Sequence, residues 1–304
     1  MSTGPLQTSP GLSAYLCGLV DDAAIFPPGS SPLDTAVRAH GEHRSSWYAD
    51  LVGPFVISDL RLPDLLEVAE EIDTDPLPVS VVVTGGAGSL EPAVRWATGS
   101  GLLRLHGVEI AVRDSETGEL AHNAARIVTA VDQLRADGLL ADETEVYLEP
   151  PRRYDASRLA ALDVVADAGL RLKFRTGGVT ADAFPDSTEL ATCIEQALDR
   201  ETPYKCTAGL HHALRHRDPE TGFEHHGFLN VLLATRASLD EGTDAARTAL
   251  EETDPGVVTA ALLAYSVEAL ASARRWFTSF GSCSVLEPLE ELLDLGLAEP
   301  AESP

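Results

Sequence analysis

Lysine is almost missing from this chain. Of 304 residues 22 are basic, and only Lys173 and Lys205 are lysine. Cysteine is scarce too: Cys17, Cys193, Cys206 and Cys283 lie far apart with no C-x-x-C pairing. That excludes a zinc ribbon and a disulfide framework and predicts reduced thiols. Positive charge is short overall, the formal net charge being −26. Nucleic acid is thereby excluded as a partner, because phosphate binding needs a basic face, and an anionic membrane surface is disfavoured. No apolar run approaches the ~20 residues that span a bilayer. No basic segment followed by an apolar run marks a signal peptide. The expectation is a soluble, cytoplasmic protein that acts on a small molecule, with no membrane partner and with a homo-oligomer allowed.

Against those absences stands a regular pattern. Short apolar runs near 15–20, 53–58, 78–83, 102–112, 144–149, 170–174, 203–207 and 277–282 alternate with amphipathic stretches. Alternation of this kind predicts parallel strands joined by crossover helices. In 61–72 the residues Leu65, Leu66, Val68 and Ala69 share a helical face; 116–137, 156–168 and the stretch after Ser187 repeat the pattern. Eight strand–helix units predict an α/β fold, a (β/α)₈ TIM barrel. A doubly wound sheet is the rival, but the loop TGGAG at 84–88 lacks GxGxxG spacing. The seventh and eighth strands are separated by far more than one helix, which predicts a helical insertion over about 211–275, either a lid on the barrel mouth or a peripheral decoration. One domain is expected over 11–297, with disordered tails at 1–10 and 298–304 that are rich in Ser, Pro, Gly and Glu.

Side chains two apart on a strand share a face, and barrel chemistry sits at the C-terminal strand ends. In RLKFRTGG Lys173 and Arg175 then point inward together, and in YKCTAGLHH Lys205 and Thr207 do. Glu109, Arg113, Tyr147 and Glu149 fall on inner faces by the same reasoning. So many interior charges are costly unless each is paired. Lysine, unlike arginine, can release its proton near neutral pH and attack a carbonyl, and a neighbouring cation together with burial favours that.

The spacing K-x-x-T-G (Lys173, Thr176, Gly177) followed by K-x-x-[AG]-G (Lys205, Ala208, Gly209), with FGSCSVLEPLEELLDLG at 280–296, resembles deoxyribose-phosphate aldolase. The resemblance covers roughly 100–210 and 277–296. It implies a class I aldolase with no cofactor and no metal, in which Lys173 forms a Schiff base and Lys205 is the cation that tunes it. Glu109 stands where that family has an aspartate. Arg175, the His211–His212 pair and the long insertion depart from the family pattern and point to a different substrate.

Several other residues are candidates for substrate contact. Gly177, Gly178, Gly209, Gly281 and Ser282 follow strand ends, where bare N–H groups suit a phosphate. Asp21 and Asp22, placed just after the first strand in LVDDAAIFPPGS, are candidates for holding a substrate hydroxyl or pairing with a lysine, and equally for a turn. His211, His212, His216, His225 and His226 crowd one segment; His211 and His212 are the candidates for acid–base work. The reading preferred is a lyase acting on a small carbonyl compound that bears a phosphate or carboxylate. A metal-dependent lyase or hydrolase using the histidines, and a non-catalytic metabolite-binding barrel, stand as alternatives.

Overall fold

A computed structural model describes residues 11–72, 75–113 and 119–300. Eight parallel strands close into a barrel: β1 (Val20–Asp22), β2 (Val52–Ser58), β3 (Leu77–Val83), β4 (Leu103–Ala111), β5 (Glu145–Glu149), β6 (Arg171–Arg175), β7 (Tyr204–Thr207) and, after a small hairpin β8 (His216–Arg217) and β9 (Glu224–His225), β10 (Phe277–Ser282). β10 lies between β7 and β1, so the chain's first and last barrel strands form the seam. The (β/α)₈ barrel is therefore the fold.

Helices α1 (Leu33–Arg44), α2 (Leu62–Glu71), α3 (Leu90–Thr98), α4 (Leu120–Ala136), α5 (Ala156–Asp167), α6 (Ser187–Leu198) and α7 (Phe228–Glu241) follow the first seven barrel strands, and α11 (Leu286–Asp294) follows the last. Their starts are written in the sequence. Asp186 and Glu189 form a reciprocal capping box on α6, and Asp155 caps α5. Outward strand residues such as Phe174, Leu172 and Ile110 are buried beneath these helices, and that shell is the main apolar core.

Three expectations change. The first strand spans 20–22 rather than 15–20. Ala14–Leu16 instead forms a short 3-10 turn, and Gly18 takes a φ of +58°, which ends any extended run before Val20. Buried Tyr15, Leu16 and Leu19 supply the apolar signal without being strand. The insertion divides. Residues 208–227, with the hairpin, lie between β7 and α7. α7 itself is the seventh barrel helix, its Phe228 stacked on Phe280 of β10 at 4.9 Å. After it come α8 (Thr243–Glu251), α9 (Pro255–Ala264) and α10 (Val267–Ala273), three short helices that fill the rest of the inserted stretch. α8 packs on α6 and α7, so these helices are peripheral. Lastly, Ala298 is buried and bridges Leu12, and Glu299 N donates to Gly11 O, so the expected tail at 298–304 begins as ordered structure. Residues 1–10, 301–304 and the 116–118 start expected for α4 lie outside the described residues.

Among the described residues no single helix is long and apolar enough to cross a membrane; α9 and α10 pass that test only as a pair bent by 103°.

Candidate active site

β6 and β7 run in register, with Lys173 directly opposite Lys205. Both are buried, at 4% and 2% exposure. Glu109 on β4 reaches both: Oε2 lies 2.8 Å from Lys173 Nζ and Oε1 2.6 Å from Lys205 Nζ. Lys205 also pairs with Asp21 Oδ2. Lys173 pairs with Glu149 Oε2 at 3.1 Å, and Glu149 Oε1 accepts from Arg175 Nε at 2.8 Å. The order is Arg175–Glu149–Lys173–Glu109–Lys205–Asp21, cations and anions alternating from the C-terminal mouth into the barrel. Three acids face three bases, so the formal charges cancel, which is how an interior tolerates six of them.

Two hydroxyls finish the pairing. Ser80 Oγ donates to Glu109 Oε1 at 2.7 Å and Ser279 Oγ to Asp21 Oδ2 at 2.8 Å. Sequence reasoning missed both. Their signal was a small polar residue at an inward position of an otherwise apolar strand, as in LPVSVVV. Two glycines make room for this network, one beside a carboxylate and one beside a hydroxyl. A Cβ at Gly53 would lie 2.2 Å from Asp21 Oδ1, and one at Gly107 would lie 3.1 Å from Ser80 Oγ. Gly53→Ala should therefore push Asp21 off Lys205 and Ser279, at about 1–3 kcal/mol of stability as overpacking does. Denaturant unfolding checks this, with Gly41→Ala, where a Cβ meets nothing within 4 Å, as the reference.

Electrostatics follow from the pairing. Burial would raise the Glu109 carboxyl, but the two ammoniums outweigh it and hold it far below the usual carboxylate range. Glu149 is likewise lowered against burial by Lys173 and Arg175. Burial works against the Lys205 charge, yet Asp21 and Glu109 overcome it and lift its pKa well above the ordinary lysine value. Lys205 is thus a fixed cation beside Lys173. For Asp21 burial prevails over Lys205, and its carboxyl is raised. Tyr147, inward as expected, lies under Lys205, with Nζ 5.3 Å from its ring centroid.

The remaining candidates separate. Asp22 points the other way from Asp21, out of the barrel, to His40 Nδ1 on α1 at 2.9 Å; with Asp21 and Asp22 on β1 itself, strand alternation splits the pair. Asp22 is therefore removed from the interior. Arg113 lies beyond the end of β4, is exposed, and donates to Thr84 O at 2.7 Å, so alternation no longer governs it. His211 stays near the mouth, with Nδ1 3.2 Å from Ser282 Oγ and 3.5 Å from Cys283 Sγ. Burial and the neighbouring histidines push its pKa down to about 4, so it is neutral near pH 7. His212 turns to Glu291 of α11, which raises its pKa by hydrogen bonding. His216 pairs across the hairpin with His225, while buried His226 bonds Pro185 O at 2.9 Å. His212, His216 and His225 thus lie ring to ring, with centroids 4.3 and 5.0 Å apart, while His211 and His226 make their contacts elsewhere. Among the described residues no three His, Cys, Asp or Glu side chains converge as a metal-ligand set.

The glycine tips have a packing reason. A Cβ at Gly177 would come within 2.8 Å of Gly209 Cα, and one at Gly178 within 2.6 Å of Ala183 Cβ. Gly209 has a φ of +76° and the preceding Ala208 a φ of +60°, an uncommon backbone for alanine. Thr176, the threonine of K-x-x-T-G, donates its hydroxyl to the carbonyls of Thr207 and Ala208 and so ties the two lysine strands together at their tips. Gly281 differs. A Cβ there would meet nothing closer than Thr207 Oγ1 at 3.8 Å, ordinary van der Waals contact, so packing does not require glycine.

Fold and interior together define a (β/α)₈ barrel with an ion-paired lysine couple at its centre. No protein-family model matches the sequence, and no curated protein matches it significantly.

Proposed function

We propose that the protein is an aldolase-like lyase that forms a Schiff base between Lys173 and a small carbonyl compound. The observation that supports this best is the in-register placement of the chain's two lysines around a shared carboxylate, Glu109. Lys173 is the nearer of the two to the C-terminal strand end that carries Arg175, and so the one a substrate meets. Glu109 and Glu149, both held as carboxylates, are bases in contact with its ammonium. When one takes the proton, the amine lone pair attacks the carbonyl carbon. The same proton returns to the carbinolamine oxygen, and water leaves as the iminium forms. The bond between the carbon next to the iminium and the one beyond it then breaks: its electron pair forms an enamine, while the hydroxyl on the departing carbon gives its proton to a carboxylate and becomes the carbonyl of the released fragment. Lys205 keeps positive charge beside the reacting nitrogen throughout. Arg175, with the strand ends at Thr207 and Gly281, suits a phosphate or carboxylate on the substrate, with Ser282 and neutral His211 at its edge.

The test is reductive trapping. Borohydride with a panel of small aldehydes and ketones should leave a mass-shifted peptide containing Lys173, and Lys173→Arg should abolish the adduct while retaining the fold. No adduct across the panel, or one confined to Lys205, would overturn the reading in favour of a barrel that binds a metabolite without turning it over.

A further inference from the structure

The opposite, N-terminal end of a barrel of this kind ordinarily serves stability and is filled. Here it holds a cavity of about 240 Å³ that reaches up to Lys205 and Asp21 from below. Its wall carries Arg44, Arg104 and Arg274 with the acid Glu145. Counter-charges are unevenly shared among them. Glu145 is taken by Arg171 at 2.7 Å, with His106 at 3.7 Å, and Asp21 is taken by Lys205. Arg274 spends its donors on backbone: Nε on Tyr15 O at 2.9 Å, Nη2 on Cys17 O at 2.9 Å, and Nη1 on the Phe277 and Thr278 carbonyls. Dipoles therefore stabilise its charge, but no carboxylate neutralises it among the described residues. Burial accordingly pushes its pKa down to about 10, against the opposing pull of Asp21.

Arg44 closes α1, where the helix dipole and nearby Asp50 offset part of its charge. The side chain of Arg104, at the start of β4, forms no hydrogen bond or ion pair among the described residues and acts on Arg44 as a like charge. Both also line an adjoining groove that carries Arg38 together with the acids Glu42 and Asp75. In a chain of net charge −26, like-charged guanidiniums gathered around one cavity call for a mobile counter-ion.

We propose that this N-terminal cavity is a binding site for a multiply charged oxyanion, a phosphate or a small dicarboxylate, held by Arg44 and Arg104 over the positive floor made by Arg274. The site is separate from the Lys173 chemistry and does not depend on it.

Titration calorimetry with inorganic phosphate, and separately with malonate, at matched ionic strength distinguishes the two sources of such an anion. Saturable binding of either is expected. Arg104→Ala should weaken it about tenfold, the value of one charge-assisted hydrogen bond, and Arg44→Ala should weaken it similarly. Arg175→Ala removes only the anion contact proposed for the other mouth and should leave the Arg104-dependent binding in place. Two results would overturn the proposal: an equal response to chloride, which means screening alone, and binding that survives Arg104→Ala but is lost in Arg175→Ala. Arg104 is exposed at a strand start, so its substitution leaves the core intact.

Discussion

Glu109→Gln should cost about 3–5 kcal/mol of stability, among the largest effects of any single substitution in this protein. The amide fills the same space and can still accept from Ser80, but two buried ammoniums then share one fewer anion. Lys205 keeps Asp21, and Lys173 keeps Glu149, so the barrel is expected to fold and the loss can be measured by urea unfolding near pH 7. The pH dependence supplies a second reading. Because its folded-state pKa lies below the unfolded one, Glu109 stabilises the fold fully above the unfolded carboxylate value of about 4.3. That contribution declines as pH falls below it, with a slope of about 1.4 kcal/mol per pH unit for one proton. The glutamine variant should therefore have a shallower acid limb than the wild type. Parallel limbs would mean that Glu109 is not held ionised by the lysines.

Lys205→Met should be comparably damaging, and its partner determines how it is repaired. Removing the ammonium leaves Asp21 and Glu109 facing each other in a buried space, with Lys173 the only cation among the described residues still ion-paired with either. A cost of about 3–5 kcal/mol is expected. Asp21→Asn added to Lys205→Met removes the orphaned charge and should recover more than half of that loss, a coupling that a double-mutant cycle isolates. Strict additivity of the two substitutions would show that Asp21 and Lys205 do not act as a pair.

Much of this interior was legible from residues two apart. Lys173 with Arg175, Lys205 with Thr207, and Tyr147 with Glu149 share inward faces because strand geometry leaves no other choice once the flanking positions are apolar. Where a segment leaves the strand, the rule lapses. Arg113 lies past the end of β4, and the run before Val20 is apolar because it is buried, not because it is extended. A short apolar stretch has no periodicity that separates those cases, and Gly18 was the only hint. Asp21 and Asp22 stand together as candidates in the sequence, but shifting the strand by a few residues decides which of them enters the barrel. The histidines show the converse limit. The hairpin sets His216 against both His212 and His225 but sends His226 to Pro185, a sorting that closeness in sequence does not encode. Which carboxylate meets which lysine is a matter of long-range closure, and local pattern carries no record of it.

That closure has a consequence for how the centre comes into being. Lys205 and Asp21 are 184 residues apart in sequence, and Ser279 and Asp21 are 258 apart. During synthesis the chain exposes Asp21 long before either lysine exists, and β10 is needed to bring β1 beside β7. Until then Asp21 has neither its ammonium nor its hydroxyl, and Lys205 has Glu109 alone. Contacts of such span form late because the loop entropy has to be overcome first. The charge centre is therefore among the last parts of the molecule to assemble, and a truncated or stalled chain lacking β10 carries both lysines without the arrangement that makes them a pair.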